Sequence, residues 1–158
     1  MKGEVNMEKI WLRPVQISDM DLIYQWANES ECRKNSFHMG KISYEEHRKW
    51  FRSKLVSRKC DMFVACREET PIGQIRLEYE GEKAIISYSV AKDERGKGYA
   101  GVLLQLVEQE VKKQQINISI LEGLVKEHNV ASQRTFEKIG YGRQKKDGCY
   151  CYSKKLIR

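Results

Sequence analysis

The sequence has few of the residues that mark non-globular chains, with two prolines and 11 glycines among 158 residues. This scarcity excludes collagen-like and low-complexity chains, and a hydrophobic share of 41% excludes a wholly disordered one. No stretch approaches the roughly 20 apolar residues that a membrane-spanning helix needs. Residues 1–15 also lack the apolar run of a signal peptide. We therefore expect a cytoplasmic protein with no membrane partner.

The five cysteines include no C-x-x-C pair, the spacing that is typical of zinc sites and redox dithiols. We therefore expect reduced structural thiols and no bound metal. A chain of this length suits one domain, which we predict to cover residues 1–158. The sequence leaves the oligomeric state open between a monomer and a homodimer.

Basic residues exceed acidic ones, with 29 Lys and Arg against 22 Asp and Glu and a net charge of +7. Such an excess favours an anionic partner, which could be nucleic acid, an acidic membrane surface or a phosphorylated small molecule. The basic residues are scattered among the acids, and no nucleic-acid-binding motif is present. We therefore expect a small-molecule partner and no nucleic acid.

Hydrophobic patterning predicts a mixed α/β domain with the element order β-α-α-β-β-β-α-β-α-β-β. Strands are predicted at residues 9–16, 62–66, 72–79, 84–90 and 116–125, and helices from Ser18, from Ser43, over 98–113 and over 129–140. Asp147-Gly148 predicts the turn of a C-terminal hairpin. Residues 31–42 show no periodicity and are predicted to form a loop.

The segment Arg95-Gly96-Lys97-Gly98-Tyr99-Ala100 joins a predicted strand to a predicted helix. Glycines at such a junction allow positive φ and close approach of a ligand to the backbone. The first turn of the helix offers unpaired N–H groups and the positive end of the helix dipole, and Arg95 and Lys97 add charge. The spacing fits neither a Walker loop nor a Rossmann fingerprint. The segment indicates an anion site, with a solvated basic turn as the alternative.

Two motifs resemble those of the acetyl-CoA-dependent N-acetyltransferases of the GNAT superfamily. The first is the R-x-x-G-x-A segment at residues 95–100, and the second is the helix Asn129 to Tyr141, which resembles N-x-x-S-x-x-x-Y-E-K-x-G-F. The element order is also similar to that fold over essentially the whole chain. The resemblance implies an α/β (α+β) fold with a mixed, mostly antiparallel sheet, a splayed central strand pair and helices on both faces. It also implies acetyl-CoA as co-substrate and a primary amine as acceptor.

The resemblance implies a role for each matching position. Backbone groups of Val90 and Ala91 would contact the pantetheine arm, and the N–H of Val90 or of its neighbour would polarise the thioester carbonyl. The amides from Arg95 to Ala100 would cradle the pyrophosphate. The cofactor-binding residues implied in this way are Val90, Ala91, Arg95, Gly96, Lys97, Gly98, Tyr99, Ala100, Asn129, Ser132, Arg134 and Phe136. Asn129 equally suits a helix N-cap, and Arg134 with Lys138 equally suits a solvated helix face.

Direct attack of an amine on a thioester requires removal of a proton from the amine and protonation of the leaving thiolate. The family's usual proton donor is a tyrosine at the position that Phe136 occupies here, and phenylalanine cannot donate. Three possibilities remain for the thiolate. It is protonated by the hydroxyl of Tyr88, Tyr99 or Tyr141, it is protonated by a water molecule, or it leaves without a proton. We take Tyr88 as the catalytic acid and Glu78 as the base. The alternative for Glu78 is that it is an exposed glutamate of a strand with no catalytic role.

The first third of the chain has a second, less specific resemblance to a known family, and this resemblance bears on which amine accepts the acetyl group. Leu12-Arg13-Pro14, Trp26-Ala27-Asn28 and the stretch from Ser43 to Phe51 are similar to the acetyltransferases of nucleotide-linked amino sugars in pseudaminic-acid-type pathways. This implies a UDP-amino sugar as acceptor, contacted by Arg33, Asn35, Ser36 and His47. Two alternatives stay open: a protein N-terminal acetyltransferase of the ribosomal-protein type, and a non-enzymatic basic module that binds nucleic acid.

Overall fold

The computed structural model describes residues 9–158, and its elements follow the predicted order with one helix added. Residues 1–8, which the predicted domain of residues 1–158 includes, lie outside the described part. The strands are β1 Ile10–Pro14, β2 Cys60–Arg67, β3 Thr70–Glu80, β4 Lys83–Val90, β5 Ile120–Lys126, β6 Gly142–Lys146 and β7 Cys149–Lys155. The helices are α1 Met20–Ala27, α2 Ser30–Asn35, α3 Tyr44–Val56, α4 Tyr99–Gln114 and α5 Val130–Lys138.

The strands form one sheet in the order β1-β2-β3-β4-β5-β7-β6. Every neighbouring pair is antiparallel except β4 and β5, which run parallel. Their pairing stops at Ile86 opposite Gly123, although β4 continues to Val90 and β5 to Lys126. The two strands therefore separate toward their carboxyl ends. The predicted fold class, including its splayed central pair, is confirmed.

Two hydrophobic clusters cover the sheet, one on each face. The larger cluster joins α4 and α5 to the sheet, and Leu103, Leu121 and Tyr152 are fully buried in it. The smaller cluster joins α1 and α3 to the outer strands and includes Ile23, Phe51 and Val64. This second cover ends before β5. The splayed ends of β4 and β5 therefore border space that a substrate can enter.

Two local predictions differ from the structure. Residues 30–35 form the short helix α2, whereas the sequence predicted a loop there; the Glu29 carboxylate caps this helix by accepting from the N–H groups of Glu31 and Cys32. Six residues are too few to show helical periodicity, so the pattern gave no signal. Strand β5 begins at Ile120 rather than at residue 116. The predicted hairpin turn is confirmed, with Gly148 at a φ of 72°.

Among residues 9–158, none of the helices is both long enough and apolar enough to cross a lipid bilayer. The cysteines in this range are free thiols, and four of them are buried, namely Cys60, Cys66, Cys149 and Cys151. In the same range no group of three or more His, Cys, Asp or Glu side chains is placed to hold a metal ion.

Candidate active site

The last residues of β4 divide between the two faces of the sheet, because side chains alternate along a strand. Tyr88 faces α5, and its hydroxyl lies 2.7 Å from the Ser132 hydroxyl. Ser87 and Ser89 face the opposite side, where Ser87 accepts from Arg76 at 3.3 Å and Ser89 from Gln74 at 3.1 Å. Strand β4 therefore presents one hydroxyl to α5 and two hydroxyls to the other face.

Backbone groups at the end of β4 differ in their availability. The Ala91 N–H donates to the Ile72 carbonyl at 2.8 Å, and the Ala91 carbonyl accepts from the Glu94 N–H at 2.8 Å. Because hydrogen bonding alternates in an antiparallel pair, Val90 turns its own N–H away from β3 and toward the gap beside β5. The expectation that Val90 offers its N–H agrees with this geometry. The Ala91 N–H is used by β3, whereas its carbonyl keeps a second lone pair, so its contact with the pantetheine arm stays a prediction.

The loop before α4 has the backbone that the two glycines allow. Gly96 and Gly98 adopt φ values of 77° and 84°, a conformation that residues with a Cβ atom rarely adopt. Gly98 is the N-cap of α4 and has no side chain to accept from the first turn. The N–H groups at the start of the helix, from Tyr99 onward, therefore have no intrahelical partner. Such free N–H groups are what the predicted backbone anion site requires.

The charged side chains of this loop have partners within the protein. The Arg95 guanidinium donates to the Val90 carbonyl at 3.1 Å and forms an ion pair with Glu29. Lys97 pairs with Glu94 at 3.1 Å. A hydrogen bond from Arg67 keeps the pKa of Glu94 below its usual range. The loop's positive side chains thus hold its shape, and its capacity for an anion comes from the backbone.

The second motif begins α5, and its residues have different surroundings. The Asn129 side-chain oxygen caps the helix by accepting from the Ser132 N–H at 3.3 Å. Arg134 is exposed on the outer face of the helix. Phe136 is 1% exposed, and its ring stacks on Tyr152 at 5.3 Å between centroids. The expected contact of Phe136 with the cofactor is therefore wrong: its ring belongs to the core.

The tip of the Phe136 ring packs closely against β5. A Cβ atom added at Gly123 would lie 2.5 Å from Phe136 Cζ, so only glycine fits opposite this ring. Overpacking at such a contact costs about 1–3 kcal/mol.

Three tyrosines were candidates for the proton donor, and the structure separates them. Tyr88 lies beside the splayed strands and bonds to Ser132, and burial raises the pKa of its hydroxyl, which stays protonated at neutral pH. The Tyr99 hydroxyl accepts from Arg67 at 3.1 Å. The Tyr141 hydroxyl is buried in the large core and makes no hydrogen bond to residues 9–158. Only Tyr88 combines a protonated hydroxyl with a place at the gap.

Glu78 does not lie where a catalytic base is needed, so this prediction is wrong. It pairs with Ile85 in the β3–β4 register, five residues before Val90, which is about 17 Å along the strand. Its carboxylate forms an ion pair with Lys54 at 2.8 Å. Burial raises the pKa of Glu78, but the hydrogen bond from Lys54 and the positive charges of Arg76 and Lys54 together outweigh it and leave the pKa below its usual range. Such a carboxylate is a weak base.

Three of the four residues expected to contact the acceptor hold the protein together instead. Arg33 donates to the carbonyls of Ala27 at 2.7 Å, His38 at 2.6 Å and Gly40 at 3.2 Å. The Ser36 hydroxyl donates to the Cys32 carbonyl at 2.5 Å. His47 is 2% exposed and packs between α1 and α3, with its Nε2 3.0 Å from the Met20 carbonyl. The predicted acceptor contacts of Arg33, Ser36 and His47 are therefore wrong.

Asn35, the fourth residue, takes part in a connection that the sequence did not predict. Its side-chain oxygen lies 3.0 Å from His128 Nε2, just before α5. At the other end of α2, Glu29 holds Arg95, just before α4. Helix α2 therefore bridges the two loops that carry the two sequence motifs. Beneath its first turn lies a cavity of about 300 Å³, which is lined by Trp26, Glu29, Cys32, Pro71, Val90, Ala91 and Arg95 among others.

Burial of His47 predicts a loss of stability in acid. Burial lowers the pKa of this imidazole, so the unfolded chain binds a proton at a higher pH than the folded chain does. Stability should therefore fall as the pH drops from about 7.5 to about 5.5, through the ordinary histidine range near 6.5. Thermal melts should show this drop shrinking in His47→Gln and persisting in His38→Gln, where the replaced histidine is exposed. Equal drops in all three proteins would contradict the assignment.

A splayed parallel strand pair, with a glycine-rich anion site at the helix that follows it, defines an acyl-CoA-dependent N-acyltransferase. Residues 9–142 match the acetyltransferase (GNAT) domain family, and the chain belongs to this family. It is an acetyl-CoA-dependent N-acetyltransferase, with acetyl-CoA as co-substrate. Among curated proteins, none matches the sequence significantly.

Solved structures share the fold at low sequence identity. The spermidine N-acetyltransferase from Vibrio cholerae, in complex with CoA and spermine, has a TM-score of 0.83 and 16% identity, covering 94% of this chain and 96% of that one. The ribosomal L7/L12 α-N-protein acetyltransferase RimL, in complex with CoA, has a TM-score of 0.80 and 15% identity, covering 94% of each chain. An aminoglycoside acetyltransferase in complex with CoA has a TM-score of 0.78 and 17% identity, covering 92% of this chain and 94% of that one.

Proposed function

We propose that the chain acetylates the amine of a nucleotide-linked amino sugar, in the cytoplasm. The observation that carries this choice of acceptor is a row of polar side chains on the face of β3 and β4 that looks away from α4 and α5. We call it the acceptor trough and define it by Gln74, Arg76, Ser87, Ser89 and Trp50. Hydroxyl and amide groups on this face suit the hydroxyls of a sugar ring.

The co-substrate binds from the α4 and α5 side. The unpaired N–H groups at the start of α4 bind the pyrophosphate, and the positive end of the helix dipole favours its charge. The pantetheine arm runs along the end of β4 in the gap beside β5. There the free N–H of Val90 donates to the thioester carbonyl and stabilises the oxyanion that forms on attack.

The acceptor amine attacks from the other face of β4. The acceptor trough ends at Ser89, one residue from Val90, so an amine at this end reaches the thioester carbon from the opposite side. Its proton passes to solvent on this face, and the acetyl C–S bond breaks as the C–N bond forms. Tyr88, protonated and on the co-substrate side, donates its proton to the departing thiolate, and Ser132 holds the hydroxyl in place.

A competition between acceptors tests this proposal. Release of free CoA thiol from acetyl-CoA is followed with a UDP-linked amino sugar, with spermidine and with short peptides that have free N-termini. We expect kcat/KM for the UDP-amino sugar to exceed the other two values by at least about tenfold, because hydrogen bonds to charged groups discriminate to that degree. A preference for peptides or for spermidine would contradict the proposed acceptor and leave the acetyl transfer itself intact.

A further inference from the structure

We infer that Arg76 binds a phosphate group of the acceptor, so that the acceptor carries a negative charge in addition to its amine. This inference rests on the proposed function and deepens it. It would make Arg76 the residue that selects anionic acceptors over polycationic amines.

The position of Arg76 suits an anion at a defined distance from the reacting amine. It pairs with Ser87 in the β3–β4 register, three residues before Val90, which is about 10 Å along the strand. The side chain lies on the acceptor face and is 22% exposed. A phosphate held there would be separated from the amine by about one sugar ring and its linkage.

The guanidinium of Arg76 has donors to spare. Five N–H groups are available on this side chain, and the hydrogen bond found for it among residues 9–158 is a long one of 3.3 Å from Nη2 to Ser87. Its Nε is buried and lies 3.4 Å from the Glu78 carboxylate, so the donors to spare are on the two Nη atoms. The guanidinium lies over the Trp50 ring, 5.0 Å from its centroid. A guanidinium with free Nη donors matches the two-pronged binding of a phosphate.

Charge in this part of the fold is also unbalanced. Lys54 and Arg76 share one carboxylate, that of Glu78, which is 2.8 Å from Lys54 Nζ and 3.4 Å from Arg76 Nε. The nearer partner is Lys54, so the positive charge of Arg76 is only partly compensated. An anionic acceptor would complete this charge balance, whereas a polycationic amine would be repelled.

Binding of UDP to the CoA-saturated protein tests the inference. CoA is present in excess so that UDP cannot occupy the pyrophosphate site at α4. Calorimetry measures the Kd of UDP for the wild type and for Arg76→Gln, Arg76→Lys and Arg48→Gln. Arg48→Gln is the control, because it removes the same charge from an arginine of α3. We expect Arg76→Gln to weaken UDP binding about ten- to a hundredfold, because hydrogen bonds to a charged group are lost. The affinity of Arg76→Lys for UDP should lie between those of the wild type and Arg76→Gln, because lysine keeps the positive charge but lacks the paired donors of a guanidinium.

A second measurement places the anion. The ¹⁵N chemical shift of the Arg76 side-chain Nε should move on addition of UDP, and those of exposed arginines should not. The inference is overturned if UDP fails to bind the CoA-saturated protein, or if it binds Arg76→Gln as tightly as the wild type. Failure of the proposed function looks different: UDP would bind through Arg76 while the UDP-amino sugar is not acetylated.

Discussion

Replacing Tyr88 by phenylalanine is expected to lower kcat about 100- to 10,000-fold, the usual range for loss of a general acid. The KM for acetyl-CoA should change little, because the hydroxyl bonds to Ser132 and acts on the sulfur only as the thioester breaks. The measurement is steady-state release of CoA thiol at several acetyl-CoA concentrations. The variant retains the aromatic ring that meets Phe136 edge-on at 6.1 Å, so its fold should be preserved.

Two controls accompany this variant. Tyr99→Phe removes a hydroxyl that Arg67 holds at the start of α4, and it should leave kcat within a few-fold of the wild type. Phe136→Tyr in the Tyr88→Phe background should not restore activity, because the ring tip is closed in by Gly123. If Tyr88→Phe keeps full kcat, the thiolate departs without help from this residue and the assignment is wrong.

Gly98→Val should abolish stabilisation of the protein by acetyl-CoA. A branched side chain at a φ of 84° distorts the turn and stands among the N–H groups that receive the pyrophosphate. At 100 times the wild-type Kd, acetyl-CoA stabilises the folded state by about 2.7 kcal/mol. A hundredfold loss of affinity would reduce this to about 0.4 kcal/mol, which thermal melts with and without acetyl-CoA resolve.

Gly148→Val is the matched control for this strain. Gly148 has a φ of 72° in the β6–β7 turn, away from the loop before α4. Both variants should lower the melting temperature of the free protein, but only Gly98→Val should lose the response to acetyl-CoA. An unchanged response in Gly98→Val would refute the backbone anion site.

Local patterns were enough to predict most of the fold, and the reasons are visible in particular residues. Buried and exposed side chains alternate on the central strands, and Asp147-Gly148 is a strong turn signal. Ser43 caps α3 by accepting from the Glu46 N–H, the spacing that the sequence displays. The glycines of the loop before α4 need positive φ for the reason inferred from the sequence. These features depend on residues close together in the chain.

Partners that are distant in the chain were not predictable in this way. Arg33 looked like a free cation until its carbonyl partners were known, and Glu78 looked like a free carboxylate until Lys54 was placed beside it. Glu29 showed no signal at all, because its role depends on Arg95, 66 residues later. Arg76 was missed for the same reason. The sequence of its strand does not show that the guanidinium lies over Trp50 or that its Nε is buried without a hydrogen bond.

The six-residue helix α2 makes the two motif loops depend on each other. A helix this short is unstable alone, so it persists through its tethers at Glu29 and Asn35 and through the capping of its first turn. Glu29 holds Arg95 in the loop before α4, and Asn35 contacts His128 just before α5. The two loops are therefore cross-linked through one short segment that is distant from both in the chain, so a substitution that disturbs α2 disturbs both loops together.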